Sequence, residues 1–173
     1  CSIPSLRTVA SVKYFESINV TRDLVATLSG SAFSSSGNTY YQNRAFDSNY
    51  ATYYIDHRLS CYVGIKLASG YTARPYRMRF YPRVQYSNYV NGVVFEASAN
   101  GGVTYDILGS STTAHEGWNY IDPTSNYTNK WYSRFRFRST DTLYSRSYCY
   151  LNEVEFLGVL AHEDSVCAVA VNH

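Results

Sequence analysis

From Arg74 to Tyr81 the side chains alternate: Tyr76, Met78 and Phe80 fall on one side, Arg77, Arg79 and Tyr81 on the other, and Pro82 ends the run. An extended chain points successive side chains to opposite faces, so it buries the first set while leaving the second in water. Trp131 to Arg138 repeats the device, with Trp131, Ser133, Phe135 and Phe137 opposed to Tyr132, Arg134, Arg136 and Arg138. Further strands are expected over 23–30, over 62–67 before Ser69-Gly70, over 93–98 turning at Asn100-Gly101-Gly102 into 103–108, and over 148–157. Residues 31–38, rich in Ser, Gly and Asn, read as a loop. With no convincing amphipathic helix, this is the pattern of an all-β sandwich, and by itself it leaves jelly-roll, immunoglobulin-like and lipocalin-like arrangements open.

A chain of 173 residues builds one ordinary domain with a real core. Charged residues make up 16% and the net charge is +2, so no strong field favours a polyanion or excludes one; no nucleic-acid partner is expected. Arg77, Arg79, Arg134, Arg136 and Arg138 read as a solvated strand face rather than a basic stripe. Tyrosine is in excess, at 19 residues, and its apolar ring with a polar hydroxyl suits wet interfaces and sugar rings alike. No apolar run is long enough to span a membrane.

Cys1, Cys61, Cys149 and Cys167 lack the close spacing of a zinc or thioredoxin-like motif, which favours disulfides. Asn19-Val20-Thr21 and Asn126-Tyr127-Thr128 are acceptor tripeptides for N-glycosylation. Both features point to an extracellular protein, secreted or at the cell surface. A start at Cys1 without Met suggests removal of a signal peptide or larger precursor. His115-Glu116 and His162-Glu163 are not followed by the second His of a zinc protease helix, and no GxSxG, P-loop or GxGxxG occurs, so catalysis is not expected.

The stretch Arg44 to Thr52 combines an apolar anchor, an acid, amides and a hydroxyl in an aperiodic loop, the kind that gathers oxygens for a hard cation. A second carboxylate stands in Asn152-Glu153-Val154-Glu155-Phe156, where Val154 and Phe156 mark a strand with one buried face. The alternative is an Asx turn in which Asp47 caps its own backbone.

These stretches, in this order, resemble the galactose-binding-like family, which includes F5/8 type C (discoidin) domains and related carbohydrate-binding modules. The family patterns AFDG-x-x-x-T, W/Y-V-G-I-D-L, R-I-R-F-Y-P-R, F-x-x-S-N-D-G and E-I-E-F-x-G are matched by residues 45–52, 62–67, 77–83, 95–101 and 153–158. Ser48, Lys66 and Ala99 depart from the usual Gly, Asp and Asn. The resemblance implies a discoidin-like jelly-roll β-sandwich over 22–158, after a lead-in of residues 1–21 and before an extension, or the start of a following domain, at 159–173. It implies a structural calcium ion held by Asp47, Thr52 and Glu153 and by the carbonyls of Arg44 and Asn49, with Asn152 adding a further carbonyl. It places Cys61 and Cys149 before neighbouring strands, leaving Cys1 with Cys167, although four cysteines allow three pairings. Loops at the calcium end would carry ligand contacts, among them His57, Arg58, Arg83, Tyr86, Tyr89 and Arg146, together with Tyr53, Tyr54, Tyr144 and Tyr148. The implied role is a non-catalytic recognition module for glycans or for cell-surface and matrix glycoproteins, including cell adhesion. The rival role is a structural assembly module that polymerises through its termini; an accessory domain of a secreted hydrolase is a third.

Overall fold

The computed structural model describes residues 25–37, 39–58, 60–90, 92–140 and 148–162. Cys1, Asn19, Tyr144, Arg146 and Cys167, the lead-in, and the strand expected around Cys167 lie outside the described residues.

Two five-stranded sheets face each other. The first sets β1 (Ala26–Thr27), β10 (Cys149–His162), β5 (Tyr71–Pro82) and β8 (Asn119–Ile121) side by side, with β3 (Tyr54–Asp56) also paired to β10. The second runs β2 (Ser31–Ser34), β4 (Tyr62–Lys66), β9 (Arg134–Ser139), β6 (Val93–Ser98) and β7 (Asp106–Ser111). All of these pairings are antiparallel, as expected of a jelly-roll sandwich. One helical turn, Thr39–Gln42, and a 3-10 turn, Asn43–Ala45, lead into the Asp47 loop.

The alternation foreseen for β5 and β9 fills the core. Met78 and Phe80 from one sheet and Phe95, Phe135 and Phe137 from the other are fully buried. Phe80 meets Phe137 at 5.2 Å, and Phe156 of β10 meets Phe95 at 5.8 Å and Phe135 at 6.0 Å, so rings from both sheets interdigitate.

Local features shift the expected boundaries. A bulge opposite Leu157 and Gly158 turns Pro75 inward and leaves Tyr76, expected inside, half-buried under Arg77. The strand expected from Trp131 begins at Arg134. Before it the parity is reversed, Trp131 being exposed and Tyr132 buried on a bridge to Ala73, with its hydroxyl donating to Asp106. The return strand expected from Val103 begins at Asp106, because side chains close the turn: Gly102 N–H donates to Ser98 Oγ and Thr104 N–H to Asn100 Oδ1. The expected 31–38 loop contains β2, whose serines hid its pairing with Val63–Lys66.

Cys61 and Cys149 form a disulfide with Cα atoms 6.0 Å apart. They do not precede neighbouring strands, as expected, but stand at β4 and β10 in opposite sheets, so the bridge ties the two layers together.

The arginines of the outer faces are largely paired. Glu96, nearly inaccessible, accepts from Arg136 Nε at 2.5 Å and from Arg138 Nη2 at 2.6 Å, and Arg136 also stacks 3.6 Å from the centre of the Tyr105 ring. Glu96→Ala leaves two partly buried cations without their carboxylate, at a cost of about 1.5–3 kcal/mol for the charged hydrogen bonds lost. Urea unfolding should show the midpoint fall while the slope stays constant; an unchanged midpoint would make the triad a surface ornament.

Candidate functional site

The Asp47 loop is organised from both sides. Phe46 anchors it against Phe156 at 6.2 Å, and Asp47 Oδ1 accepts from Asn49 N–H at 2.9 Å in an Asx turn. The Thr52 hydroxyl lies 2.7 Å from Asp47 Oδ2 and 2.9 Å from the Asn49 carbonyl oxygen. Ser48, where the family pattern has Gly, adopts φ +56°, the left-handed conformation a glycine takes without strain. That conformation aims Ser48 N–H at Glu153 Oε2, 2.9 Å away. Asn152 donates both amide hydrogens, to the carbonyls of Tyr50 and Thr52, each at 2.7 Å. The loop and β10 therefore meet, as expected for Asp47, Thr52 and Glu153.

Glu153 is the electrostatic centre of this junction. It is 2% exposed, and burial pushes its carboxyl up to about 8; the Ser48 N–H opposes the rise and the nearby Asp47 charge adds to it. Arg79, whose charge favours the ionised carboxylate, forks onto Glu155 instead, at 2.9 and 2.8 Å. Asn152 Oδ1 is buried with no hydrogen-bond partner among the described residues. Among the described residues no three His, Cys, Asp or Glu side chains gather as a metal cluster. A cation here would rest on two carboxylates together with hydroxyl, amide and backbone oxygens, a donor set that suits calcium and not a transition metal. Arg44 lies in the 3-10 turn with its guanidinium over the Tyr41 ring at 5.1 Å.

A second constellation forms where β3, the turn after β5 and the start of β10 converge. The Arg83 guanidinium sits over two tyrosine rings, 3.9 Å from Tyr53 and 4.7 Å from Tyr86, and it pairs with no carboxylate among the described residues. Tyr86 stacks on Tyr150 at 4.9 Å, Tyr89 on Tyr148 at 6.0 Å, and His57 packs against Tyr148 at 4.7 Å with Nε2 3.1 Å from the Tyr150 hydroxyl. Burial raises the Tyr150 hydroxyl above its usual value, so it stays a neutral donor. Beside these rings a cleft of about 600 Å³ is lined by Tyr41, Arg44, Tyr53, His57 and Arg58 among others.

His57, Arg83, Tyr86 and Tyr89 are thus brought together as expected. Arg58 is adjacent but committed, since its guanidinium donates to the carbonyls of Ser35 and Ser36. Tyr54, counted among the loop aromatics, is instead core: it is fully buried and its hydroxyl donates to Asp56 at 3.2 Å. Tyr150 was missed, although its place two residues after Tyr148 on a strand puts both rings on one face.

No protein-family model matches the chain, and no curated protein does. Solved structures do match. CBM62 from Clostridium thermocellum Xyl5A superposes with a TM-score of 0.64 at 19% identity, over 79% of this chain and 99% of that one. Chitosan-binding module 1 from the chitosanase/glucanase of Paenibacillus sp. IK-5 gives 0.57 at 21%, over 76% and 96%. The family 32 module of C. perfringens NanJ, solved with galactose, gives 0.54 at 12%, over 78% and 94%. The chain has the galactose-binding-like (discoidin) fold. In this fold both constellations draw on the first sheet: β10 supplies Glu153 and Asn152 to one and Tyr150 to the other, and β3, paired to β10, runs between Tyr53 and His57.

Proposed function

We propose that the protein is a non-catalytic carbohydrate-binding module whose ligand, a glycan, docks on the cluster of His57, Arg83, Tyr86 and Tyr150. The observation that carries this reading is the Arg83 guanidinium, held by Tyr53 and Tyr86 yet free of any carboxylate among the described residues. A sugar presents an apolar ring face and a fringe of hydroxyls, and so needs an aromatic surface beside fixed donors. The three fold neighbours named above, each a carbohydrate-binding module, support the same reading. The site is held by packing, so little conformational change is required on binding.

Calcium belongs to this reading as a structural ion on Asp47 and Glu153, with the Thr52 hydroxyl and backbone oxygens, fastening the loop to β10. The Cys61–Cys149 bridge supports an oxidising, extracellular setting, with cell-surface or matrix glycoproteins as natural carriers of the glycan. Asn126 is exposed and its tripeptide open to glycosylation.

Binding on a glycan array, followed by titration calorimetry with the best sugar, tests the proposal. Arg83→Ala should weaken affinity by about tenfold to a hundredfold, the usual loss when a charged hydrogen-bond donor is removed. His57→Ala should cost less, because Tyr150 keeps its own hydroxyl. No binding to any glycan, or full binding by Arg83→Ala, would overturn the assignment.

A further inference from the structure

We infer that the sugar site does not end at the loops: the outer face of the first sheet carries a second subsite, with the Tyr50 ring as its platform, for further units of an oligosaccharide chain. The inference rests on the carbohydrate-binding reading and specifies its ligand as a chain rather than a single terminal sugar.

The alternation of β5 sends Arg77, Arg79 and Tyr81 to the outer face, and Arg83 follows just past the strand's end. At about 3.3 Å per residue, these positions mark a line of about 20 Å, long enough for several linked sugar rings. Midway along it, Tyr50 of the Asp47 loop leans on Tyr81 at 5.2 Å and meets Trp118 edge-on at 6.1 Å, while Tyr81 and Trp118 meet at 5.6 Å. Segments far apart in sequence thus bring their rings to one spot, and 53% of Tyr50 remains in water. Its position is fixed at the backbone, because Asn152 holds the Tyr50 carbonyl. An exposed ring that is already immobilised costs little ordering when something stacks on it.

The polar neighbours choose the class of ligand. Arg79 stacks on Trp118 at 4.4 Å and forks onto Glu155, so the rings are bordered by a guanidinium and a carboxylate whose outer edges meet hydroxyls well and aliphatic side chains badly. Exposed ring faces set among fixed polar edges match a pyranose chain, with Tyr50 as the stacking ring and Tyr81 and Trp118 as positioning residues. Tyr81, against which Tyr50 leans, lies only two residues before Arg83 of the loop site, so one oligosaccharide would span both.

The test is titration with two ladders, galactose to galactohexaose and N-acetylglucosamine to its hexamer, monitored by calorimetry and by NMR for the weak monosaccharides. With the ladder that binds, affinity should rise about tenfold between one unit and four. Tyr50→Ala should abolish the rise and leave monosaccharide affinity unchanged, Tyr50→Phe should retain it, and Trp118→Ala should diminish it. Monosaccharide binding with no dependence on length overturns the second subsite and spares the loop site. Absence of all sugar binding overturns both. Sedimentation runs alongside: self-association lost in Tyr50→Ala, without any length dependence, would make this face a contact between copies and also overturn the inference.

Discussion

Replacing both Cys61 and Cys149 with Ala is expected to lower the melting temperature by roughly 10–15 °C. The bridge joins residues 88 apart in sequence, and closing a loop of that size removes about 4–5 kcal/mol of chain entropy from the unfolded state. In a domain of this length each kcal/mol moves the midpoint by about 2–4 °C. Both cysteines are fully buried, so the alanines leave small cavities that add to the loss rather than offset it. Scanning calorimetry should show a drop in both the double variant and wild-type protein reduced under mild denaturant, with the variant's the larger by the cavity loss. A midpoint within about 3 °C of wild type would mean that the two sheets hold together without the tie.

The second large effect concerns Glu153, and its sign can be worked out. Its folded value, pushed up to about 8 from 4.5 chiefly by burial, means that the native state keeps a proton which the unfolded chain has already released. In protein stripped of divalent cations, stability is therefore complete below about pH 4.5 and is lost as pH rises through 8, by about 1.4 kcal/mol per pH unit at most. Asp106, held low by the Tyr132 hydroxyl, and Asp122, held low by Arg77, act in the opposite direction but only in more acid solution. The proposed calcium ion would satisfy the carboxylate in place of the proton, so millimolar calcium should raise the melting temperature above pH 7 and flatten the profile. Glu153→Gln should be flat from the start and indifferent to calcium. If calcium leaves wild-type melting unchanged while the slope persists, the loop is an Asx turn closed by a protonated glutamate, and the ion is not part of the protein.

Much of the fold could be read before any coordinates, and the failures are instructive. The alternation in β5 and β9 reports directly which side chains are inside, because a strand has only two faces. It failed at Tyr76, where a bulge adds a residue and reverses parity, and at Trp131, where the strand had not yet begun. β2 escaped because a serine-rich edge strand carries little apolar signal, although its partners include the strongly patterned β4. For the candidate site, the Asp47 loop was legible because its hydrogen bonds are local, from Asp47 to Asn49 and Thr52. Its meeting with Glu153 came from a resemblance, not from any local rule.

By itself the sequence determined the extended conformation, the inward and outward sets of side chains, the Asx turn and the supply of tyrosines, all properties of neighbours along the chain. Only the tertiary structure decided that Cys61 and Cys149 bridge opposite sheets, that Arg58 is spent on the carbonyls of Ser35 and Ser36, and that Arg83 rests between Tyr53 and Tyr86 with no counter-charge among the described residues. The reason is that alternation names a face but not the neighbour across it. Which ring meets which cation depends on strand order and register, and these are set by the packing of the two sheets as a whole.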